Sequence, residues 1–252
     1  MPRRAGFILL LLWGLVALPA AAASLENWTT NYPLPPGGRI SLANVQGSIW
    51  IEAWDRPEVE LSVSKTTEGT NERLAEVEVG VERGSDWLRI QTLYQGKAEE
   101  PVTVDYRLRV PRQVRLEEVR TVNGNVVVRD VEGVVEARTL NGTIEETGIV
   151  GSVAAHSVNG DITVALRRVP EQQGRLELET INGDVRLLLP ATSNADLEMS
   201  TVAGQIESGL ALAARAVPGD TALRARLGRG GVAARLRTIR GNIYVGENQD
   251  LL

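Results

Sequence analysis

Three rows of one six-residue pattern, each starting 18 residues after the last, constrain this chain more than any other feature. They are Thr121-Val122-Asn123-Gly124-Asn125-Val126, Thr139-Leu140-Asn141-Gly142-Thr143-Ile144 and Ser157-Val158-Asn159-Gly160-Asp161-Ile162. Gly133 and Gly151 bisect them, so glycine recurs every 9 residues from Gly124 to Gly160. A fixed short period marks stacked units, none of which buries its apolar face alone. Drifting copies follow at Thr180-Ile181-Asn182-Gly183, Thr201-Val202-Ala203-Gly204 and Thr238-Ile239-Arg240-Gly241. An early one stands at Asn44-Val45-Gln46-Gly47.

Parity inside the rows predicts strands. Val135/Ala137, Val153/Ala155, Leu176/Leu178, Leu197/Met199 and Ala234/Leu236 alternate with Glu136/Arg138, Ala154/His156, Glu177/Glu179, Glu198/Ser200 and Arg235/Arg237. One face is therefore buried and one wet. After each Thr the parity breaks, because the next residue is apolar too, and the glycine supplies a backbone angle other residues resist. Two architectures fit. Asn-Gly between apolar runs is a hairpin signal and would give an antiparallel meander. Copies 18 residues apart match better than the 9-residue halves, which favours direct stacking, with Asn123, Asn141, Asn159 and Asn182 as a ladder on corners made by Gly124, Gly142, Gly160 and Gly183. The expectation is an all-β, single-stranded parallel β-solenoid with rungs of about 18 residues and a less regular N-terminal β part.

Residues 1–23 carry Arg3-Arg4, an apolar run from Phe7 to Leu18 and small residues to Ala23. That is the pattern of a secretory signal peptide cleaved near Ala22 or Ala23. Residues 24–110 form the N-terminal β-strand part and 111–252 the regular rows, with no polar linker between them. The chain has no cysteine, which excludes disulfides, a thiolate metal site and a cysteine nucleophile.

Near the start, Asn44-Val45-Gln46-Gly47-Ser48-Ile49-Trp50-Ile51-Glu52-Ala53-Trp54-Asp55-Arg56-Pro57 precedes the Thr-Val-Asn-Gly-Asx-Ile rows, and Leu227-Gly228-Arg229-Gly230-Gly231 precedes the last one. Together, from about Arg39 to Val245, they resemble the bacterial putative-adhesin family of exported β-strand-repeat proteins of undefined function. The resemblance implies a parallel β-helix outside the cytoplasm and no catalytic residues. Arg240 replaces the usual Asn in the last row, which opens the question of how the ladder ends.

Candidate chemistry is sparse. His156, the only histidine, aligns with Arg120 and Arg138 on the wet face and has no partner cluster. Glu145-Glu146, Asp161 and Asp184 do not follow the Gly-Gly-x-Gly-x-Asp spacing of a calcium roll. Gly228-Arg229-Gly230-Gly231 reads as a turn, since no Lys-Ser/Thr and helix follow it. No cofactor or metal is expected.

Two contact surfaces stand out. Trp50 and Trp54 share the outward parity of one strand and suit a sugar ring or a partner, unless the proline-rich lead-in with Trp28 covers them. Arg224, Arg226, Arg229, Arg235, Arg237 and Arg240 fall between Asp220 and Glu247 with no acid among them, in a chain of net charge −5. If their strands lie side by side, Arg224, Arg226, Arg235 and Arg237 face one way and suit an anionic envelope polymer, a glycan, another envelope protein or a second copy. Export and net charge disfavour nucleic acid. The functional expectation is a non-enzymatic binding or structural, adhesin-like module of the periplasm or cell surface. The alternative is a carbohydrate-active β-helix enzyme.

Overall fold

Alternating apolar and polar residues produce strands through almost all of the chain. The computed structural model describes residues 24–68, 71–95, 102–170, 174–216 and 222–248; residues 1–23, read above as a signal peptide, lie outside them. In chain order the strands are β1 (Ser24–Pro33), β2 (Gly38–Ala43), β3 (Ile49–Trp54), β4 (Glu58–Thr67), β5 (Val77–Arg83), β6 (Trp87–Tyr94) and β7 (Thr103–Pro111). Then come β8 (Gln113–Asn123), β9 (Val126–Arg129), β10 (Glu132–Asn141), β11 (Ile144–Asn159), β12 (Ile162–Arg168), β13 (Arg175–Glu179) and β14 (Val185–Leu189). The last six are β15 (Ala195–Ala203), β16 (Ile206–Ser208), β17 (Ala213–Ala216), β18 (Ala222–Leu227), β19 (Val232–Arg240) and β20 (Ile243–Glu247). One short helix, α1 (Asn71–Ala75), follows β4.

The strands do not form the single-stranded parallel β-solenoid that the row spacing predicts. They make one sheet of mixed polarity that curls into a half-barrel. Antiparallel pairings β1–β4, β4–β7, β5–β6, β15–β18 and β17–β18 flank the parallel ones. Nor does strand order follow chain order. β2 lies between β6 and β8, and β19 lies between β13 and β15. On the other side of the corner, β3 lies between β7 and β9, and β20 between β14 and β16. The physical reason is that alternation and glycine corners specify a strand and its buried face. They do not specify the polarity of its neighbours or which row comes next in space.

Within this sheet the regular rows pair parallel and in register. Ile49, Val126, Ile144, Ile162, Val185 and Ile243 stand in one line and are at most 1% exposed. Across the corner, Leu42, Val119, Ala137, Ala155, Leu178, Leu236 and Met199 form a matching buried line. A bulge at Glu118 (φ 54°) lets Leu116 and Val119 both face inward. The two lines close over one continuous apolar core.

Candidate functional site

The corner between the two lines is built by the six-residue pattern. The Thr or Ser hydroxyl of each row turns inward and donates to the glycine carbonyl of the adjacent row. Thr121 reaches Gly47 (2.9 Å), Thr139 Gly124 (2.9 Å), Ser157 Gly142 (3.1 Å), Thr180 Gly160 (2.9 Å), Thr238 Gly183 (2.9 Å) and Thr201 Gly241 (2.8 Å). Two residues on, the amide of Asn123 donates to Gln46 (3.0 Å), Asn141 to Asn123 (2.7 Å), Asn159 to Asn141 (2.8 Å) and Asn182 to Asn159 (2.8 Å). Arg240 extends the series by donating from its guanidinium to Asn182 Oδ1 at 3.1 Å. The glycines are required by closeness: a Cβ on Gly142 would drive into the Gly124 carbonyl, at a φ of 157°.

Because the hydroxyl faces inward, the residue after it is forced outward. In nearly every row that residue is a large aliphatic one. Val45, Val122, Leu140, Ile181, Ile239 and Val202 are between 36% and 68% exposed, with Val158 half-buried between Leu140 and Ile181. The stacking places them in one line along the corner, in the order Val45, Val122, Leu140, Val158, Ile181, Ile239, Val202. The apolar residue after each Thr signals this ridge in the sequence. Its exposure becomes evident only once the hydroxyl is seen to turn in.

A groove of about 470 Å³ runs beside one end of the ridge, between Ile181, Ile239 and Val202 and the polar group His156, Glu179, Arg237 and Glu198. His156 is half-buried, with Nδ1 3.8 Å from Glu179. Burial holds its pKa below the ordinary value, against the pull of the Glu179 carboxylate.

The four arginines are exposed, on a face they share with acids. Their strands are not side by side: β15 lies between β18 and β19 and brings Asp196 and Glu198 into the same face. Arg226 pairs with Asp196 at 2.9 Å, and this bond lowers the Asp196 pKa. Arg237 reaches Glu179 (3.8 Å) and Glu198 (3.9 Å), and Arg235 reaches Glu177 (3.8 Å), which Arg175 also pairs. Arg224 stands opposite Glu198 in the register. An open groove of about 780 Å³ crosses this alternating face. The acids were missed in the linear sequence because they come from β13 and β15, far from the arginine run.

Trp50 and Trp54 are half-buried and lie beneath arginines. Arg107 sits 5.2 Å from the Trp50 ring, while Arg56 and Arg109 sit 4.8 and 5.8 Å from that of Trp54. Trp54 Nε1 also donates to the Glu58 carbonyl at 2.8 Å. Trp28 is not their cover: it packs against the core, 5.2 Å from Lys65. Glu145 and Glu146 point to opposite faces. Glu145 is 3.4 Å from Arg129, whereas Glu146 is fully buried between Val128 and Val164 with neither carboxyl oxygen partnered. Its parity with Val126 and Val128 is legible in the sequence. Among the described residues no three His, Asp or Glu side chains come together as a metal site.

Fold and corner together define an all-β, mixed-polarity sheet protein with an exposed apolar ridge. No family model matches the chain, and no curated protein does. Among solved structures it is similar to a "putative cell adhesion protein" from Clostridium sporogenes, at 10% identity and a TM-score of 0.47, over 88% of this chain and 100% of that one. It is also similar to a "putative adhesin" from Bacteroides fragilis, at 12% identity and a TM-score of 0.45, over 87% and 97% of the two chains. A third, a "putative adhesin" from Parabacteroides distasonis, is 13% identical with a TM-score of 0.35, over 88% and 97%. At these values the likeness assigns neither a fold family nor a function.

Proposed function

We propose that this chain is a non-enzymatic binding and structural module of the cell envelope, exported by its N-terminal segment, that works by contact through the apolar ridge. The observation that carries this reading is the line of exposed side chains Val45, Val122, Leu140, Ile181, Ile239 and Val202. Seven rows at a strand spacing of about 4.8 Å make the ridge about 29 Å long. Its apolar area is on the order of 400–500 Å², the size at which a patch on a monomer is usually functional. The Trp50/Trp54 and Arg224–Arg237 faces rank behind it, because neighbouring strands already supply their partners.

The occupant is a second copy, laid antiparallel ridge to ridge. Such a contact is self-complementary: aliphatic side chains meet aliphatic side chains, and the amide ladder alongside offers donors and acceptors to its own image. Two ridges bury about 1,000 Å² in total, the lower limit for a specific interface, so the dimer is weak and reversible. Sedimentation velocity from about 1 to 200 µM tests this. The parent protein should shift from monomer to dimer across that range, and a Leu140→Thr, Ile181→Thr, Ile239→Thr variant should stay monomeric with an unchanged melting temperature. A parent that remains monomeric throughout, or a variant that associates equally well, overturns the reading.

A further inference from the structure

Two departures of the later rows from the 18-residue period open at one place. In the regular rows the second corner, from the β9 side back to the β10 side, is tight: a Cβ on Gly151 would meet the carbonyl of Gly133 one row below. Two later rows expand that corner, and the turn from β18 to β19 passes beside them. The chain leaves β12 at Arg168 and re-enters β13 at Arg175. It leaves β14 at Leu189 and re-enters β15 at Ala195, and it leaves β18 at Leu227 and re-enters β19 at Val232. Because β12 pairs with β14, while β13, β19 and β15 pair in that order, the described ends of these connections lie against one another. Between them is a pocket of about 870 Å³.

Its lining is cationic. Arg167, Arg168 and Arg229 line it, and among the described residues no carboxylate does. Arg167 is tied to Glu132 (3.0 Å) and Asp130 (3.7 Å). Among the described residues, neither Arg168 nor Arg229 has a carboxylate within ion-pair distance. This contrasts with Arg226, Arg235 and Arg237 on the outer face. The Arg229 backbone is nonetheless fixed: its N–H donates to Asn194 Oδ1 at 2.8 Å, and Gly231 N–H donates to Asp196 at 3.1 Å. Thr192 and Ser193 add hydroxyls, while Val169, Pro170, Pro190 and Val232 supply an apolar wall.

We infer that this pocket binds a compact organic anion. Its phosphate or carboxylate is held by Arg168 and Arg229, and its body lies on the Pro170 and Pro190 wall. Guanidiniums with no internal partner are available for bidentate contact with either anion, and the volume lies within the usual range for small-ligand sites. The pocket occupies the corner opposite the ridge, so it does not depend on self-association.

Isothermal titration of the exported chain with glucose 6-phosphate, glucuronate and glucose, at low salt, tests the site. Saturable binding of the phosphate sugar, the carboxylate sugar or both is expected, with none for glucose, and the preferred probe identifies the anion. Arg168→Gln with Arg229→Gln should weaken that binding by at least about tenfold while melting like the parent. Arg224→Gln on the outer face should leave it unchanged, and raising salt from about 50 to 500 mM should weaken it. Absence of saturable binding by both anions up to about 10 mM, equal binding of glucose, or undiminished binding by the double variant each overturns the site.

Discussion

Replacing Glu146 with valine should make this protein more stable, by an amount that grows with pH. Its carboxyl sits in the core in register with Val128 and Val164, with both oxygens unpartnered, and burial pushes its pKa well above the ordinary 4.5. Above pH 4.5 the unfolded chain releases this proton while the folded chain keeps it. The unfolded state therefore binds fewer protons, and stability falls as pH rises, by about 1.4 kcal/mol per unit until the folded carboxyl itself ionises. The loss accumulates for as long as the folded carboxyl stays protonated. Valine is close to glutamate in volume and matches both neighbours, so Glu146→Val should regain at least about 1–3 kcal/mol at pH 7, the cost of a buried polar group without partners, and the gain should widen as pH rises. Urea unfolding at pH 5, 6, 7 and 8, followed by tryptophan fluorescence, measures the difference directly. His156 titrates in the same window but equally in both proteins, so its contribution cancels. Glu146→Gln should flatten the pH dependence without the full gain, since an unpartnered amide remains buried. A parent–valine difference that is near zero, or constant from pH 5 to 8, would refute the placement of an unpaired carboxyl in the core.

Two further outcomes test the corner. Gly142→Ala should cost roughly 3 kcal/mol or more in chemical denaturation, because its Cβ must displace the Gly124 carbonyl of the neighbouring row. Asn141→Asp removes the donor that reaches Asn123 Oδ1 at 2.7 Å and sets oxygen against oxygen, so a loss of about 1–2 kcal/mol is expected. Asn31→Asp on β1, outside the ladder, should stay within about 0.5 kcal/mol of the parent.

How much of this was legible in the sequence depended on the range of the interaction. The strands, their buried faces and the stacking of Asn123, Asn141, Asn159 and Asn182 follow from local parity and from the 18-residue spacing, since both are properties of a row and its nearest copy. The overall architecture does not follow from them. Antiparallel partners such as β4 for β1 and β18 for β15 carry the same alternation as parallel ones. The insertion of β19 between β13 and β15 leaves no periodic trace. The neighbours of the proposed contact residues were hidden for the same reason. Arg226, Arg235 and Arg237 are isolated from acids in sequence, but meet Asp196, Glu177, Glu179 and Glu198 through pairings the linear order hides. Arg107 and Arg109 reach Trp50 and Trp54 from β7 in the same way.

The position of β19 and β20 has a consequence for how the molecule is made. A chain that has emerged only as far as Gly231 already carries β13, β14, β15 and β16, yet the strands that join these two pairs do not exist. Two unpaired sheet edges must then wait, facing the same gap, until residues 232–247 arrive to fill it. Addition of rows in order of synthesis cannot complete this sheet. The last rows instead act as a wedge that converts two incomplete blocks into one, a long-range closure of the kind that folds slowly and leaves open edges exposed to other chains in the meantime.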